Sequence, residues 1–437
     1  MINKPKNSNY SAIVVTIKHI HPLEGCDFIH AAMILGNQVI VDKSIKVGDI
    51  GIYFPTECKL SEEYLKNNNL YKKPELNIDP EKKGYFEENG RIRCVKFRGH
   101  KSEGLFMPLE SLNFTNHREK LEEGVEFDEL NNILICEKYI ITSKNNLMAA
   151  NAPKLRKIKE SKIVEKQFRF HEDTIALYKN LHRVKPEDYI HISYKIHGTS
   201  GISSKILCKK PLSIWDKIGS FLGFNIVNVI YDNVYSSRRV IKNPEFNPNA
   251  NHFYDVDIWG IANNYIKDFL LNGLTLYYEI AGYLPNGALI QEEYDYGCIT
   301  PLAKEPYKYG IHYKIFIYRI TYTNSEGKVF EFSARQVQDW CNLNGLTAVP
   351  ELFYGKAAEF SDERLKEEKW RDKFLSTIRE KYNEKDCYIC NNKVPEEGCV
   401  IRLDKLSLEA YKVKSFKFLE NESKMLNKNI IDIESEN

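Results

Sequence analysis

The sequence predicts an α+β protein of two domains, a small OB-type β-barrel followed by a larger mixed domain. Three observations carry that expectation. The chain has 437 residues, more than one hydrophobic core comfortably serves. Five short β-patterned runs crowd the first stretch, residues 8–115. Five such strands suit a small barrel, although a sandwich with the same strand count stays open. From residue 171 to 418, strand-like and helix-like runs alternate.

Taken in order, SAIVVTIKHI (11–20) is rich in β-branched residues, and AMILGNQVIV (32–41) places Gly36-Asn37 between two apolar runs as a hairpin signal. GDIGIYFP (48–55), RIRCVKFRG (91–99) and GLFMPL (104–109) supply three further strands. Residues 56–90 read as a long polar insertion of mixed charge with no period. In RIRCVKFRG, Arg91, Arg93, Lys96 and Arg98 accompany Phe97, the mix of cation and aromatic that nucleic-acid grooves use; a solvated face reads the same way. KLRKIKESKIVEKQFRF (154–170) carries seven Lys or Arg against two Glu, either a solvated linker or a phosphate-contacting strip. Beyond it, strands are expected at DYIHISYKI (188–196), LTLYYEIAG (274–282), YKIFIYRITYT (313–323), GCVIRLD (398–404) and AYKVKSFKF (410–418). Helices are expected around Asn263–Leu271, over 334–345 and in the charged stretch 361–382. From Glu420 onward the chain reads as a frayed polar tail. The domain expectation is therefore a module over 1–140, a basic linker over 141–164, a catalytic-sized domain over 165–418 and a tail over 419–437.

Composition narrows the function. Lys and Arg number 62 against 60 Asp and Glu, a net charge of +2, so attraction to nucleic acid must come from local patches. No apolar run approaches the roughly 20 residues a spanning helix needs, and the N-terminus MINKPKNSNY lacks the apolar core of a signal peptide. Ten Cys in so long a chain then read as reduced thiols, and a cytoplasmic protein is expected. The P-loop, H-E-x-x-H, G-x-S-x-G and kinase motifs are all absent. Cys387 and Cys390 form one C-x-x-C, with Cys399 nine residues beyond. Without a second pair they are read as ordinary thiols rather than a zinc site.

What remains is an ordered constellation. Lys195 ends an alternating run (Ile190, Ile192, Tyr194) and meets a turn, His197-Gly198-Thr199-Ser200. A lysine there can project its amine into a pocket, and it attacks only when neutral. The tetrapeptide alone also fits a solvated turn. Glu279 sits in the apolar strand YYEIAG, where an unpaired carboxylate is costly, so it is either a satisfied structural acid or a ligand for something polar. Tyr318 shares a strand face with Phe316, which suits core packing or stacking on a purine. Glu397-Gly398 opens a strand, and Lys412 and Lys414 point one way while Tyr411 and Val413 point the other. Two cations on one face with apolar residues behind them suit a phosphate site.

This order resembles the covalent nucleotidyltransferases, the ATP-dependent RNA and DNA ligases and mRNA capping enzymes. KIHGTS resembles their lysine motif in the form used by nick-sealing RNA ligases, with His197 and Gly198 beside the nucleotide. By the same resemblance YSSRRV places Arg238 at the nucleotide or the lysine pocket. YYEIAG puts Glu279 on the ribose, and IFIYRI puts Tyr318 on adenine. EGCVIR makes Glu397 a ligand for metal or a positioner of the adenylated lysine, and YKVKSF puts Lys412 and Lys414 on the α-phosphate. IQEEYDYGC (290–298) and VPELFYG (349–355) are similar to the RNA ligase group as well, and one branch of it carries an N-terminal OB module. Two positions depart from the pattern. Tyr194 stands where this branch usually has the Glu that contacts the adenine amino group, and Tyr278 precedes Glu279 where Gly is usual.

The resemblance implies an ATP-grasp-like nucleotidyltransferase fold of two packed antiparallel sheets with flanking helices. It implies an ATP-dependent RNA ligase using Mg2+ or Mn2+, with Lys195 as the nucleophile. The product would be a sealed strand, formed from 3′-OH and 5′-phosphate ends through lysyl-AMP and a 5′-adenylated strand. RNA, or a nicked duplex with an RNA 3′-OH, is the expected partner of a monomer that needs no membrane. DNA ligation, capping with GTP and a catalytically decayed RNA-binding protein are the alternatives.

Overall fold

The computed structural model describes residues 2–140, 162–210, 213–222, 228–248, 250, 254, 256–297, 313–361, 367–405 and 407–427. Residues 154–161 of the basic segment 154–170, and most of the expected linker 141–164, lie outside them. No helix among the described residues is long and apolar enough to cross a membrane.

In the N-terminal module the β-branched run forms the strand Ala12–Thr16, which pairs antiparallel with Ile50–Phe54. Leu105–Pro108 and Glu126–Phe127 extend that sheet on either side. The hairpin forms as well, but its turn is Leu35-Gly36, since Ile34 pairs with Asn37. Both turn residues have positive φ, 49° and 75°, the conformation a two-residue turn between twisted strands requires. Asn37 instead opens the second strand, because its side chain is committed elsewhere: Nδ2 donates to the Tyr53 hydroxyl at 3.1 Å, and Oδ1 accepts from Arg379 at 2.6 Å.

Residues 56–90 are not a polar insertion. They contain the strand Cys58–Leu60 and the helix Glu62–Asn67, whose cap Ser61 accepts from the Tyr64 N–H. Tyr64, Leu65, Leu70, Tyr71 and Phe86 are buried in one core with Ala12, Val14, Ile52 and Phe54. Adjacent apolar pairs in a six-residue helix are too few to show a period, so the sequence hid them.

The second domain holds two five-stranded sheets. One runs in the order Ile175–Ala176, Ala410–Lys414, Gly398–Leu403, Tyr189–Tyr194 and Glu351–Lys356. The other runs Val229–Ser237, Thr199–Lys209, Leu274–Gly282, Tyr313–Thr323 and Val329–Glu331. All pairings are antiparallel except that of Ile175–Ala176 with Ala410–Lys414. Period-two alternation divides the first sheet. Ile190, Ile192, Ile401, Leu403, Tyr411 and Val413 pack on Trp370, Phe374, Leu375 and Ile378 of the helix Glu367–Tyr382. The opposite face carries His191, Ser193, Val400, Arg402, Lys412 and Lys414. The second sheet packs its back on the helices Ile258–Ile266 and Ala334–Leu343.

The tail is not frayed over its first part. Phe416–Asn427 is a helix with Phe416, Phe418, Ser423 and Leu426 buried; residues 428–437 lie outside the described set. It docks on the module: the Cys94 N–H donates to Ser423 Oγ (3.3 Å), Ser423 Oγ–H donates to Glu57 (3.1 Å), and Lys96 pairs with Glu420 (3.1 Å). The RIRCVKFRG run therefore faces this helix rather than an open groove. Its strand begins only at Cys94, and Arg91 is buried in a two-pronged pair with Glu57, 3.1 Å at each contact. A second seam joins the domains at Lys179, whose ammonium donates to the carbonyls of Ser8 (2.7 Å) and Ser11 (3.0 Å).

Candidate active site

A cleft opens between the two sheets, and residues of the module close one side of it. Lys195, Arg238, Glu279, Tyr318, Lys412 and Lys414 all line it, as do Asn9, Tyr10 and Glu57 of the module. His197, Gly198 and Glu397 stand immediately around Lys195.

Lys195 follows the strand Tyr189–Tyr194, and its N–H donates to the Gly398 carbonyl at 3.0 Å, which ties it to the Glu397-Gly398 corner. Only glycine fits at 398. Its φ is +137°, and a Cβ there would lie 2.0 Å from the Val413 carbonyl oxygen. Glu397 is almost wholly buried. Its Oε1 is 2.7 Å from Lys195 Nζ and 3.7 Å from Lys414 Nζ, and its Oε2 is 3.6 Å from His197 Nδ1. Burial pushes this carboxyl up, but Lys195, His197 and Lys414 outweigh it and hold the pKa at about 2.

His197 is fixed by its N–H, which donates to the Tyr296 hydroxyl at 2.8 Å, and by ring contacts to Tyr294 and Phe418. The Gly198 carbonyl accepts from Gln291 Nε2 at 2.7 Å, and a Cβ at 198 would sit 2.5 Å from the Ile280 carbonyl oxygen. Strand pairing puts Ser200 opposite Glu279, and the serine hydroxyl donates to Glu279 Oε1 at 2.7 Å. Tyr318 shares a 3.0 Å hydrogen bond with His171 Nδ1. Arg238 reaches Asp173 at 2.6 Å, with Arg239 on the other oxygen at 3.0 Å. Burial opposes ionisation of Asp173, yet Arg238 and its neighbours keep its pKa lowered. Lys414 also meets Glu422 of the C-terminal helix at 3.4 Å.

Sequence reasoning missed several groups in the cleft. Arg402 and His191 are paired across strands and buried, and Arg319 binds Glu331 at 2.9 Å, with Arg402 on the same carboxylate at 3.3 Å. Alternation from Val400 was a usable signal for Arg402. Asp173 and the module residues gave none, because tertiary packing alone brings them in. Tyr194 lines the cleft, with its ring 4.6 Å from that of Tyr388. Burial pushes its phenol up, so a neutral group stands where a carboxylate was expected.

Among the described residues no group of three or more His, Cys, Asp or Glu is arranged to hold a metal ion. Glu397, the expected metal ligand, already has the ammonium groups of Lys195 and Lys414 and the His197 ring around its two oxygens. That argues against direct ligation while Lys195 is charged.

Comparison with known proteins supplies three findings. A model of an OB-fold domain matches residues 11–109. No curated protein matches. Among solved structures, a lysine-to-methionine variant of the Naegleria gruberi RNA ligase with AMP and Mn is similar at 15% identity, with a TM-score of 0.55 over 94% of this chain and 98% of that one. A lysine-to-alanine variant with ATP and Mn gives 15% identity and a TM-score of 0.55 over 95% and 99%. The same ligase with PPi gives 14% and 0.54 over 94% and 98%. At such identity the likeness establishes the fold: this chain shares the fold of that RNA ligase over nearly the whole length of both, with the OB-fold match in its first part.

Proposed function

We propose that this protein is an ATP-dependent RNA ligase that joins 3′-OH and 5′-phosphate ends, acting on nicked duplexes with an RNA 3′-OH. The observation that carries the reading is the Lys195 amine held 2.7 Å from buried Glu397, with Lys412 and Lys414 in the same cleft. Lys195 attacks the α-phosphate of ATP, a P–N bond forms and pyrophosphate leaves. The AMP then passes to the 5′-phosphate of the broken strand, and the 3′-hydroxyl displaces it. Each step moves charge between phosphate oxygens, so alignment and neutralisation are what the protein supplies.

Attack requires a neutral amine. Lys414 shares the Glu397 carboxylate at 3.7 Å, so the carboxylate keeps a cation when Lys195 gives up its proton. In that state Glu397 has lost its nearest partner and is the carboxylate proposed to hold a divalent metal. Such an ion, Mg2+ or Mn2+, would screen the triphosphate. In this reading Arg238 contacts the nucleotide or the lysine pocket, Glu279 binds the ribose and Tyr318 stacks on the base. A monomeric cytoplasmic enzyme, with the nucleotidyltransferase domain over 165–418, completes the reading.

The test is incubation with labelled ATP or GTP and Mn2+, followed by denaturing electrophoresis. Covalent label from ATP supports the ligase; label from GTP alone would favour capping chemistry, and the neutral Tyr194 makes that arm informative. Sealing of nicks ending in ribose in preference to deoxyribose would separate RNA from DNA ligation.

A further inference from the structure

We propose that Cys387 and Cys390 are a redox-active dithiol whose closure to a disulfide moves the hairpin that delivers Glu397 to Lys195. The two residues open a short hairpin between the helix Glu367–Tyr382 and the strand Gly398–Leu403. It is closed by a bridge between Asp386 and Pro395 and by the Cys387 N–H donating to the Val394 carbonyl at 2.8 Å. Within it the two side chains lie near enough for Cys390 to act on the Cys387 thiol.

This thiol pair differs from the others. Burial pushes up the thiols of Cys94, Cys208, Cys341 and Cys399, and it does the same to Cys58, although Cys58 also hydrogen-bonds a second thiol, Cys136. At Cys387 the Cys390 thiol, with the Ile389 and Cys390 N–H groups, outweighs burial, and the pKa falls to about 6. The other titratable groups facing it include His197, Tyr294, Tyr296 and Glu396. Cys390 is only half-buried, so a small oxidant has a way in.

The hairpin touches all three neighbours of the nucleophile. Tyr388, between the two cysteines, packs on Tyr194, the residue before Lys195. At the tip the Asn391 N–H donates to the Asp295 carbonyl (2.7 Å) and Asn392 Nδ2 to the Glu293 carbonyl (2.6 Å). Those contacts hold the segment whose Tyr294 and Tyr296 fix His197. The C-terminal arm continues directly into Glu397.

With a hydroperoxide as oxidant the chemistry balances. The Cys387 thiolate attacks the peroxide, an S–O bond forms, the O–O bond breaks and one water leaves. The Cys390 thiol then displaces oxygen from the sulfenic acid, an S–S bond forms and a second water leaves. Two thiols and one hydrogen peroxide become one disulfide and two waters.

The full chain is treated with hydrogen peroxide, its remaining thiols are alkylated after unfolding, and its peptides are weighed. The expected result is a 387–390 peptide two hydrogens lighter, while Cys58, Cys136 and Cys399 remain alkylatable. Limited trypsin cleavage at Lys385 and Lys393 should change with oxidation and revert with dithiothreitol. AMP labelling should fall by at least about tenfold, since small misplacement of a nucleophile costs that much, and Cys390→Ser should label normally yet resist peroxide. Two reduced thiols after treatment, a disulfide to another cysteine, or one zinc shared by two copies of the hairpin would each overturn the proposal. A disulfide that leaves the trypsin pattern unchanged would overturn the movement. Because the mass and cleavage readouts need no catalysis, failure of the ligase reading would appear separately, as absent labelling in the reduced protein.

Discussion

Two stretches of this chain alternate cations with apolar residues, and they end in opposite situations. In AYKVKSF, Tyr411 and Val413 enter the core while Lys412 and Lys414 line the cleft. In RIRCVKFRG, Arg91 is consumed by Glu57, Lys96 pairs with Glu420, and Arg98 donates to the Gly25 carbonyl. The first strand presents its cations to a space a substrate could occupy. The second spends Arg98 and most of Arg91 inside the module, while Lys96, with an Arg91 contact to Asn427 at 3.4 Å, fastens the C-terminal helix to it. Alternation states which residues share a face; it does not state what lies opposite.

Five substitutions sharpen or break that contrast. Lys195→Ala should abolish covalent AMP labelling and leave joining of a pre-adenylated strand measurable, since that step needs no lysyl-AMP. Undiminished labelling would move the nucleophile elsewhere. Arg91→Ala leaves Glu57 buried without its main partner and should cost about 3–5 kcal/mol of stability, read by thermal or denaturant unfolding. If instead it folds like the parent and binds RNA less well, the fastener assignment fails.

Lys412→Ala and Lys414→Ala should each slow enzyme–AMP formation by an amount equivalent to roughly 1.5–3 kcal/mol, the value of a charge-assisted contact. Arginine at either position should rescue only in part, because a planar fork replaces a compact ammonium. Normal labelling kinetics in both alanine variants would put the strand on an ordinary solvated face. The smallest effect belongs to Lys96→Ala, whose pair with Glu420 is half-exposed. It should change stability by at most about 1 kcal/mol, and a large loss of nick sealing would return this strand to the RNA track.

The sequence showed the strands of the second domain most clearly where burial falls on both faces or alternates cleanly. LTLYYEIAG and YKIFIYRITYT match the observed strands Leu274–Gly282 and Tyr313–Thr323 residue for residue. The strands Thr199–Lys209 and Val229–Ser237 were hidden, because the serines and polar residues along them mask the period. In the site, the motif residues were visible since each must carry its own chemistry. Arg319 and Glu331 were not, because a buried ion cluster draws its members from three strands and no local spacing records it; Arg402 was missed although alternation from Val400 marked its face. The C-terminal helix was missed for a related reason. Its buried residues, Phe416, Phe418, Ser423 and Leu426, include a serine whose burial is justified by two partners far upstream, the Cys94 N–H and Glu57.

That helix also sets the order in which the molecule can be completed. During synthesis the module emerges first and can collapse on its own core. Its strand at Cys94 and its buried Glu57, however, wait for Ser423, and Lys195 waits for Glu397 and Lys414. The last described stretch to leave the ribosome thus closes both the joint between domains and the cleft. A nascent chain that stops short of the Phe416–Asn427 helix holds the Lys195 amine in a pocket still missing the wall that Glu422 and Leu426 supply, so on the proposed reading premature termination yields an inert fragment.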